Sequence, residues 1–558
     1  MHCDDGSMDN IKPQDTQDVE KTGANNIKSA TLEQMTEKDA DFATTINDAK
    51  IATAKEHSMT LAEGIRMYPR AIGWSILFST AIVMEGYDLV LLGSFYAYPE
   101  FNKKFGTLQP DGTYQLTAAW QAGLSNAVSV GQITGLFANG IIIERFGYRK
   151  TMLGSLSLVI AFIFITFFAQ NLPTLLVGEL LLGIPLGAYQ TATVTYASEV
   201  CPVVLRCYLT TYVNLCWVMG QLLASGVLRG FVERSDEWAY RIPFALQWAW
   251  PVPILIGVAL APESPWWLVR QKRTKDAAVA LERLTGGNFD GHCTAEETVA
   301  MMVHTNELER EMEAGTSYLD CFKGVNLRRT EIVCITWVCQ NLCGAGLMGY
   351  STYFYTQAGL AGTNSFNMSL GQYALGALGT ILSWGLMTRY GRRTLYVVGL
   401  AVLNVLLLVV GFISLAGAHN SAASWATGSM LLVYTFVYDS TVGPVCYSLV
   451  SELSSTRLRT KTIVLSRNAY NLFSIINGII FPYMLNPSAW NWRGRAGFFW
   501  AGICFLCVVW TYFRLPEPKD RTFAELDVLF QQGVPARKFK STSVDVFADG
   551  NGVDTKSL

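Results

Sequence analysis

Five ionisable side chains lie within stretches of the chain that are otherwise apolar: Glu85, Asp88, Glu179, Asp439 and Arg467. An ionisable group inside a membrane is costly, so each of these residues is a candidate for a functional role. Glu85 and Asp88 are three residues apart and share one face of a helix. Because two carboxylates in a low-dielectric cavity cannot both ionise cheaply, one of them is expected to hold a proton. The spacing predicts a proton-binding site; the alternative is a solvated charge in an extracellular vestibule.

A second group of polar and aromatic residues could bind a neutral sugar. Sugar hydroxyl groups are bound by amides and hydroxyls, and the C–H faces of the rings pack against aromatic side chains. Gln340 and Asn341 precede Tyr350 and Tyr353 within one apolar stretch, and Gly344 and Gly346 between the pairs permit local unwinding. The alternative is that these polar groups only bridge packed helices.

The composition excludes several classes of protein. The 558 residues are 51% hydrophobic and only 15% charged, whereas soluble domains carry about 25% charged residues. A net charge of −2 gives no electrostatic footprint for nucleic acid. Most of the twelve cysteines lie in apolar runs, which is typical of packing residues. No nucleophile, base or metal cluster gathers outside the apolar stretches, so no enzyme activity, catalytic residue, metal site or cofactor is predicted.

Twelve apolar stretches, each long enough to cross a membrane, organise the chain. They lie at 71–98, 118–143, 151–169, 172–197, 207–231, 243–261, 331–358, 366–388, 394–416, 424–452, 460–485 and 496–515. We predict an all-α integral membrane fold with two six-helix halves. The predicted boundaries are a disordered N-terminal tail (1–69), the N-terminal half (70–261), a helical insert (262–330), the C-terminal half (331–515) and a C-terminal tail (516–558).

Basic residues predict the orientation in the membrane. Arg145 and Lys150 flank the turn after the second stretch, and Arg389 and Arg393 follow the eighth. Because cytosolic loops carry an excess of Lys and Arg, both termini and the insert are expected in the cytosol. The C-terminal tail carries no retention signal, which favours the plasma membrane.

The two halves carry similar turns at equivalent positions. Glu144-Arg-Phe-Gly-Tyr-Arg149 after the second stretch matches Arg389-Tyr-Gly-Arg-Arg393 after the eighth. A duplicated six-helix unit is the layout of transporters that rock two halves about a midplane site. Acidic and basic residues at the cytosolic helix ends are predicted to latch the halves, the alternative being topological anchoring. These latch candidates are Glu144, Arg145, Arg149, Glu199, Arg206, Glu263, Arg389, Arg392, Arg393, Glu452 and Arg457.

Several longer motifs carry a family resemblance. The basic turns, together with Pro262-Glu-Ser-Pro-Trp-Trp-Leu268 and Pro516-Glu-Pro-Lys-Asp-Arg-Thr522, resemble the sugar porter family of the major facilitator superfamily. Thr195-Tyr-Ala-Ser-Glu-Val-Cys-Pro202, Gly349-Tyr-Ser-Thr-Tyr-Phe354 and Gly533-Val-Pro-Ala-Arg-Lys538 are similar to motifs of fungal α-glucoside (maltose-type) proton symporters. The resemblance covers the chain from Tyr68 to Phe530 and implies the major facilitator fold.

For proton coupling, the resemblance places Asp88 at the position of the first-helix aspartate of proton-coupled sugar porters. Those proteins pair it with an arginine in the fourth helix, where this chain has Glu179. Gln132 is neutral where some maltose-type relatives have an acid, and those relatives share Arg467. We therefore expect Glu85 and Asp88 to bind the proton, with Glu179 nearby and Arg467 setting the charge balance.

For sugar binding, the resemblance maps Gln340 and Asn341 onto the family's Gln-Gln pair and Tyr350 onto an outer-gate tyrosine. Gly346 replaces a family asparagine and Tyr447 a tryptophan, which suggests a cavity wide enough for a disaccharide. The predicted sugar-binding residues are Asn214, Gln340, Asn341, Tyr350, Tyr353, Asp439, Tyr447, Tyr470 and Asn471.

These observations predict proton-coupled import of a maltose-like α-glucoside by alternating access, with protons as the coupling ion. The predicted partners are a small-molecule sugar and the lipid bilayer, without nucleic acid, and the chain is expected to be monomeric. Two alternatives stay open: an uncoupled facilitator of another disaccharide or a hexose, and a sugar sensor that does not transport.

Overall fold

The computed structural model describes residues 59–108, 114–285, 294–312, 317–357, 360, 362–416, 421–455, 458–486, 489–490 and 492–544. Most of the predicted disordered tail lies outside these residues. Its described end differs from the prediction, because Leu61–Met67 forms a helix. The Thr60 side chain accepts a hydrogen bond from the Glu63 amide, and the Glu63 side chain accepts one from the Thr60 amide. This capping box satisfies two amides that a short helix would otherwise leave unpaired.

The N-terminal half contains six helical spans. Span 1 runs over Pro69–Phe95 and is divided into Pro69–Ser79 and Ala81–Phe95; spans 2 to 6 are Ala118–Phe146, Tyr148–Phe167, Leu172–Val200, Val203–Phe231 and Trp238–Leu260. Spans 2 and 4 approach closely because both carry glycines at the contact. A Cβ on Gly131 would lie 2.2 Å from the Leu180 carbonyl oxygen, so this contact tolerates no side chain.

The C-terminal half repeats this arrangement. Span 7 consists of Gly324–Leu342, Gly346–Gly349 and Ser351–Gln357, and span 8 is Gly362–Tyr390. Span 9 is Arg392–Ile413, span 10 consists of Ser421–Ser440 and Val442–Leu453, span 11 is Arg459–Leu485, and span 12 is Arg493–Arg514. The halves contact each other where span 2 packs on span 11 and span 5 on span 8.

Eight spans, numbers 1 to 6, 9 and 12, are long and apolar enough to cross a membrane by length and composition. Spans 7, 8, 10 and 11 fall short of that criterion among the described residues. Spans 7 and 10 are broken, span 7 around Gly344, whose φ of +95° favours glycine. Span 11 carries Arg467, Asn471 and Asn477 on buried positions. Spans 7, 10 and 11 also supply much of the polar lining of the site described below.

Two extramembrane features define the ends of the bundle. Helices Pro265–Arg270, Thr274–Thr285 and Ala295–Met312 form the insert, and span 7 begins at Gly324, earlier than predicted. The tail helix Phe523–Gln531 docks on the start of span 7 through the ion pair of Asp527 with Arg329. At the opposite end, strands β1 (Thr107–Leu108) and β2 (Tyr114–Gln115) form an antiparallel hairpin. We refer to these ends as the insert side and the hairpin side.

Candidate functional site

A cavity lies between the two halves, lined by spans 1, 2 and 5 on one side and spans 7, 10 and 11 on the other. Its volume is about 190 Å³. Most predicted proton and sugar residues line it: Glu85, Asp88, Asn214, Gln340, Asn341, Tyr350, Asp439, Tyr447, Arg467, Tyr470 and Asn471. Tyr353 and Glu179 are buried outside this lining.

Glu85 anchors a chain of hydrogen bonds that crosses from one half to the other. Its Oε1 accepts a hydrogen bond of 2.9 Å from Gln132 Nε2 and a second from Gln190 Nε2. The side-chain oxygen of Gln190, Oε1, in turn accepts a bond of 2.7 Å from Nε of Arg467 in span 11. The second oxygen of Glu85, Oε2, is buried and has no hydrogen-bond partner in the described part of the chain. Glu85 and Arg467 are therefore joined through Gln190 rather than by direct contact.

Asp88 faces a different set of partners, although it shares the helix face of Glu85. Its Oδ1 accepts a hydrogen bond of 2.7 Å from Gln247 in span 6. Glu179 in span 4 lies within electrostatic range of Asp88 and is fully buried. Neither carboxyl oxygen of Glu179 has a hydrogen-bond partner among the residues described. The fourth span thus offers Asp88 a second acid in place of a cation.

Aromatic rings surround the Arg467 guanidinium. Its central carbon lies 4.2 Å from the ring centre of Tyr470 and 4.5 Å from that of Trp337, with Trp217 at 5.6 Å. Such rings stabilise a cation removed from water. Sequence reasoning did not select Trp217 or Trp337, because aromatic residues in apolar stretches are usually core residues.

The sugar-binding candidates are held by contacts between helices. Asn214 of span 5 donates hydrogen bonds of 3.2 Å to Asp439 of span 10 and to Thr380 of span 8, so it connects the halves. Gln340 donates a bond of 3.1 Å to the Gly443 carbonyl at the start of the second helix of span 10. The break in span 10 thus gives Gln340 a backbone acceptor.

Asn341 is held by span 11. Its side-chain nitrogen Nδ2 donates a hydrogen bond of 3.2 Å to the backbone carbonyl of Tyr470. Its side-chain oxygen accepts a bond of 2.6 Å from the side chain of Asn477. Polar residues that sequence reasoning missed also line the cavity: Ser125, Asn126, Ser129, Gln221, Ser474 and Asn477. Those on span 2 recur, with Gln132, at helical spacing on one face, and this signal could have been read from the sequence.

Contacts between the halves close the cavity on the hairpin side. The Tyr350 hydroxyl donates to Ser125 of span 2 at 3.2 Å, and its ring stacks on Tyr96 of span 1 at 6.4 Å. Ser94 and Thr352 form another hydrogen bond between spans 1 and 7, at 3.3 Å. Tyr350 therefore occupies the place of a gate at this end.

On the insert side, Lys461 of span 11 donates to Glu144 of span 2 at 2.7 Å and joins the halves. Arg206 of span 5 and Arg459 of span 11 lie 3.8 and 3.9 Å from the ring centre of Phe523, in the tail helix. Each half thus supplies one guanidinium to the same ring. Contacts between the halves therefore lie at both ends of the cavity.

Most of the other predicted latch residues make their described contacts within one half or with the insert. Glu199 binds Arg270 at 2.9 Å, Glu452 binds Arg392 at 3.2 Å, and Arg149 donates to the Ala259 carbonyl. Arg393 donates to the Tyr512 carbonyl. Arg145 and Arg389 each lie over the ring of the next residue in the chain. Arg457 is outside the described residues.

Glu263 has a different role from the predicted latch. Its carboxylate accepts hydrogen bonds from the backbone amides of Tyr148 and Arg149, at 2.8 and 3.2 Å. Burial raises the pKa of Glu263, while these amide hydrogen bonds oppose that rise. Glu517 makes the equivalent contacts with Arg392 and Arg393 in the C-terminal half. Both acids therefore fix the entry to the following span.

A cavity lined by amides, acids and aromatic rings between two six-helix halves is the arrangement of a membrane carrier. Residues 74–530 match the family model described as "Sugar (and other) transporter". The chain is 45% identical over 527 residues to a general α-glucoside permease of Saccharomyces cerevisiae, covering 93% of this chain and 85% of that protein. It is 44% identical over 508 residues to a maltose permease from the same organism, covering 90% and 82%.

The chain belongs to the sugar transporter family. Its fold is similar to that of the major facilitator proton:xylose symporter XylE, with a TM-score of 0.71 at 19% identity, covering 83% of this chain and all of that one. A XylE double tryptophan variant gives 0.69 at 20% identity, covering 82% and 99%. The predicted family, twelve-helix major facilitator fold and absence of enzyme activity are confirmed by these findings.

Proposed function

We propose that the protein imports an α-glucoside disaccharide, such as maltose, together with a proton by alternating access. The observation that carries the proposal is the hydrogen-bond chain from Glu85 through Gln190 to Arg467, because it joins a carboxylate of one half to a cation of the other. Protonation of Glu85 removes the negative charge that, through Gln190, favours Arg467 at this position, so the bond between Gln190 and Arg467 weakens and the halves separate more easily. Proton binding is thereby coupled to the movement that transports sugar.

The substrate class is supported by two independent facts. The curated relatives named above carry α-glucosides and maltose in their names and cover most of this chain. The cavity also presents amides on both halves, Asn214 and Gln340 among them, with aromatic rings beside them. This mixture suits the hydroxyl groups and C–H faces of a neutral sugar.

We further propose that the insert side faces the cytosol and that the carrier resides in the plasma membrane. The excess of basic residues at the insert side supports this orientation, since cytosolic ends of spans are enriched in Lys and Arg. Both termini then lie in the cytosol. One chain encloses the whole cavity, so a monomer suffices for transport.

The test is uptake of radiolabelled maltose in yeast cells that lack their own carriers, at about pH 5 and at neutral pH, with and without a protonophore. We expect accumulation at acidic pH that the protonophore abolishes. Asp88→Asn and Glu85→Gln should each lose this accumulation while retaining exchange of labelled for unlabelled maltose. Accumulation that persists in both variants would exclude these carboxyls as the coupling groups.

An uncoupled facilitator is the second candidate function. Gln132 and Glu179 favour it, because neither supplies the charge found at these positions in the coupled proteins that the chain resembles. Maltose entry that only equilibrates with the medium, equally at both pH values and with or without the protonophore, would establish the facilitator.

A further inference from the structure

A cavity of about 550 Å³ lies on the insert side, away from the central site. The end of span 2, the start of span 3, the end of span 6 and the insert helices Pro265–Arg270 and Thr274–Thr285 enclose it. The sugar site does not use this cavity, and the residues that line the two cavities do not overlap.

The charge of the insert-side cavity is positive. Four cations line it, Arg149, Lys150, Arg273 and Arg283, against the two acids Glu263 and Asp276. Both acids are already engaged. Glu263 accepts hydrogen bonds from backbone amides, and Asp276 forms an ion pair with Arg273 at 2.7 Å.

Lys150 and Arg283 are the cations most available to a ligand. Both are exposed and come from opposite walls, span 3 and the insert. A guanidinium has five N–H donors, and the Leu260 carbonyl takes one from Arg283 at 2.8 Å. A lysine and an arginine facing one cavity are suited to a phosphate group.

The same cavity has an apolar margin. Phe146, the last residue of span 2, is 48% exposed, and Val279 of the insert is 56% exposed. Leu153, in the second turn of span 3, lines the cavity below them. A soluble anion would leave these apolar groups in water, whereas a lipid covers them with its acyl chains.

In the C-terminal half, the tail of the chain covers the position that is equivalent to the insert-side cavity. Arg393 corresponds to Arg149 and donates to the Tyr512 carbonyl. Arg537 from the tail stacks over the rings of Tyr512 and Phe513, at 4.7 and 4.9 Å. The tail therefore covers that position, while the N-terminal half keeps an open cavity.

We propose that the insert-side cavity binds an anionic phospholipid of the cytosolic leaflet. Lys150 and Arg283 hold its phosphate, and Phe146 and Val279 contact its acyl chains. The leaflet follows from the orientation proposed above, but binding itself depends on neither that orientation nor the transported substrate. Basic pockets at the cytosolic end of membrane helices are suited to such head groups.

The test is native mass spectrometry of the purified full chain titrated with phosphatidylserine or with phosphatidylcholine. We expect preferential binding of phosphatidylserine. Removing each cation should weaken that affinity about fivefold, so Lys150→Gln/Arg283→Gln should lose about twenty-five-fold. Lys275→Gln is the matched control, because this exposed lysine lies on the same insert helix but does not line the cavity. Its affinity should remain that of the unmodified chain.

Val279→Asn separates a lipid from a soluble anion. It should weaken phosphatidylserine binding without changing the weak binding of soluble glycerophosphoserine. Equal affinities of the unmodified chain for glycerophosphoserine and phosphatidylserine would overturn the lipid assignment. A double variant that keeps full affinity would overturn the site. The measurement needs no transport, so failure of maltose uptake would leave this result interpretable.

Discussion

Replacing Gln190 with leucine tests the link between proton binding and movement of the halves. The substitution removes two hydrogen bonds, one to Glu85 and one of 2.7 Å from Arg467, and keeps a side chain of similar size. A hydrogen bond to a charged group contributes about 1.5–3 kcal/mol. Only the bond from Arg467 crosses between the halves, and Arg467 keeps its aromatic neighbours, so we expect the contact between the halves to lose about 1.5 kcal/mol, the lower limit for one such bond.

That energy is large enough to change the mode of transport. About 1.5 kcal/mol shifts an equilibrium roughly tenfold, here from the arrangement with the halves in contact towards states with the halves apart. Gln190→Leu should therefore let the halves separate without a proton. In cells, maltose entry should continue but should equilibrate instead of accumulating, and a protonophore should no longer affect it.

Gln132→Leu is the matched control for this prediction. It removes one hydrogen bond to Glu85, of 2.9 Å, but leaves the connection to Arg467 intact. We expect it to retain accumulation that a protonophore abolishes, with a changed dependence on pH. The reasoning is refuted if Gln190→Leu still accumulates maltose against a gradient, or if Gln132→Leu uncouples transport to the same extent.

Three further substitutions test the closure of the cavity and its width. Lys461→Gln breaks the ion pair with Glu144. Because Glu144 is half-exposed, the contact between the halves should weaken by only about 0.5 kcal/mol. The measurement is thiol labelling of a cysteine introduced on the insert side, which should increase. Phe523→Leu removes a ring that contacts an arginine from each half, so the same labelling should increase more strongly. Phe523→Trp keeps an aromatic ring and should leave the labelling unchanged. Gly346→Ala places a Cβ 2.1 Å from the Phe481 ring and should sharply reduce maltose uptake, while Gly385→Ala, which meets nothing within 4 Å, should leave uptake unchanged.

The sequence predicts the larger organisation well because bilayer thickness and charge patterning act over whole segments. Predicted and observed spans agree closely from Ala118 to Leu260, where apolar runs are continuous. Span 7 departs from its prediction at the start, Gly324, because its first turns are polar and pack against the tail. The capped helix Leu61–Met67 was missed because only the Thr60–Glu63 spacing marks it.

The site is less predictable, because its connections depend on which helices meet. Gln190 lies in a run of small and polar residues, Gln190-Thr-Ala-Thr193, and only packing against spans 1 and 11 places its amide between Glu85 and Arg467. Phe523 is similar, since nothing local to the tail indicates that one ring meets an arginine from each half. Ionisable residues in apolar runs can be selected from the sequence, but their partners cannot.

The change from arginine to Glu179 in span 4 has a mechanical consequence when it is combined with Arg467. With an arginine in span 4, the carboxylate and its cation would lie in one half and could remain together while the halves rock. The rocking motion itself would then not separate them. Here the cation lies in span 11, and the connection from Glu85 through Gln190 spans the surface at which the halves part. Rocking must lengthen this connection, and loss of the Glu85 charge lowers the energy needed to do so. The proposed coupling therefore acts on the closed state itself, because the groups that respond to the proton also hold the halves together.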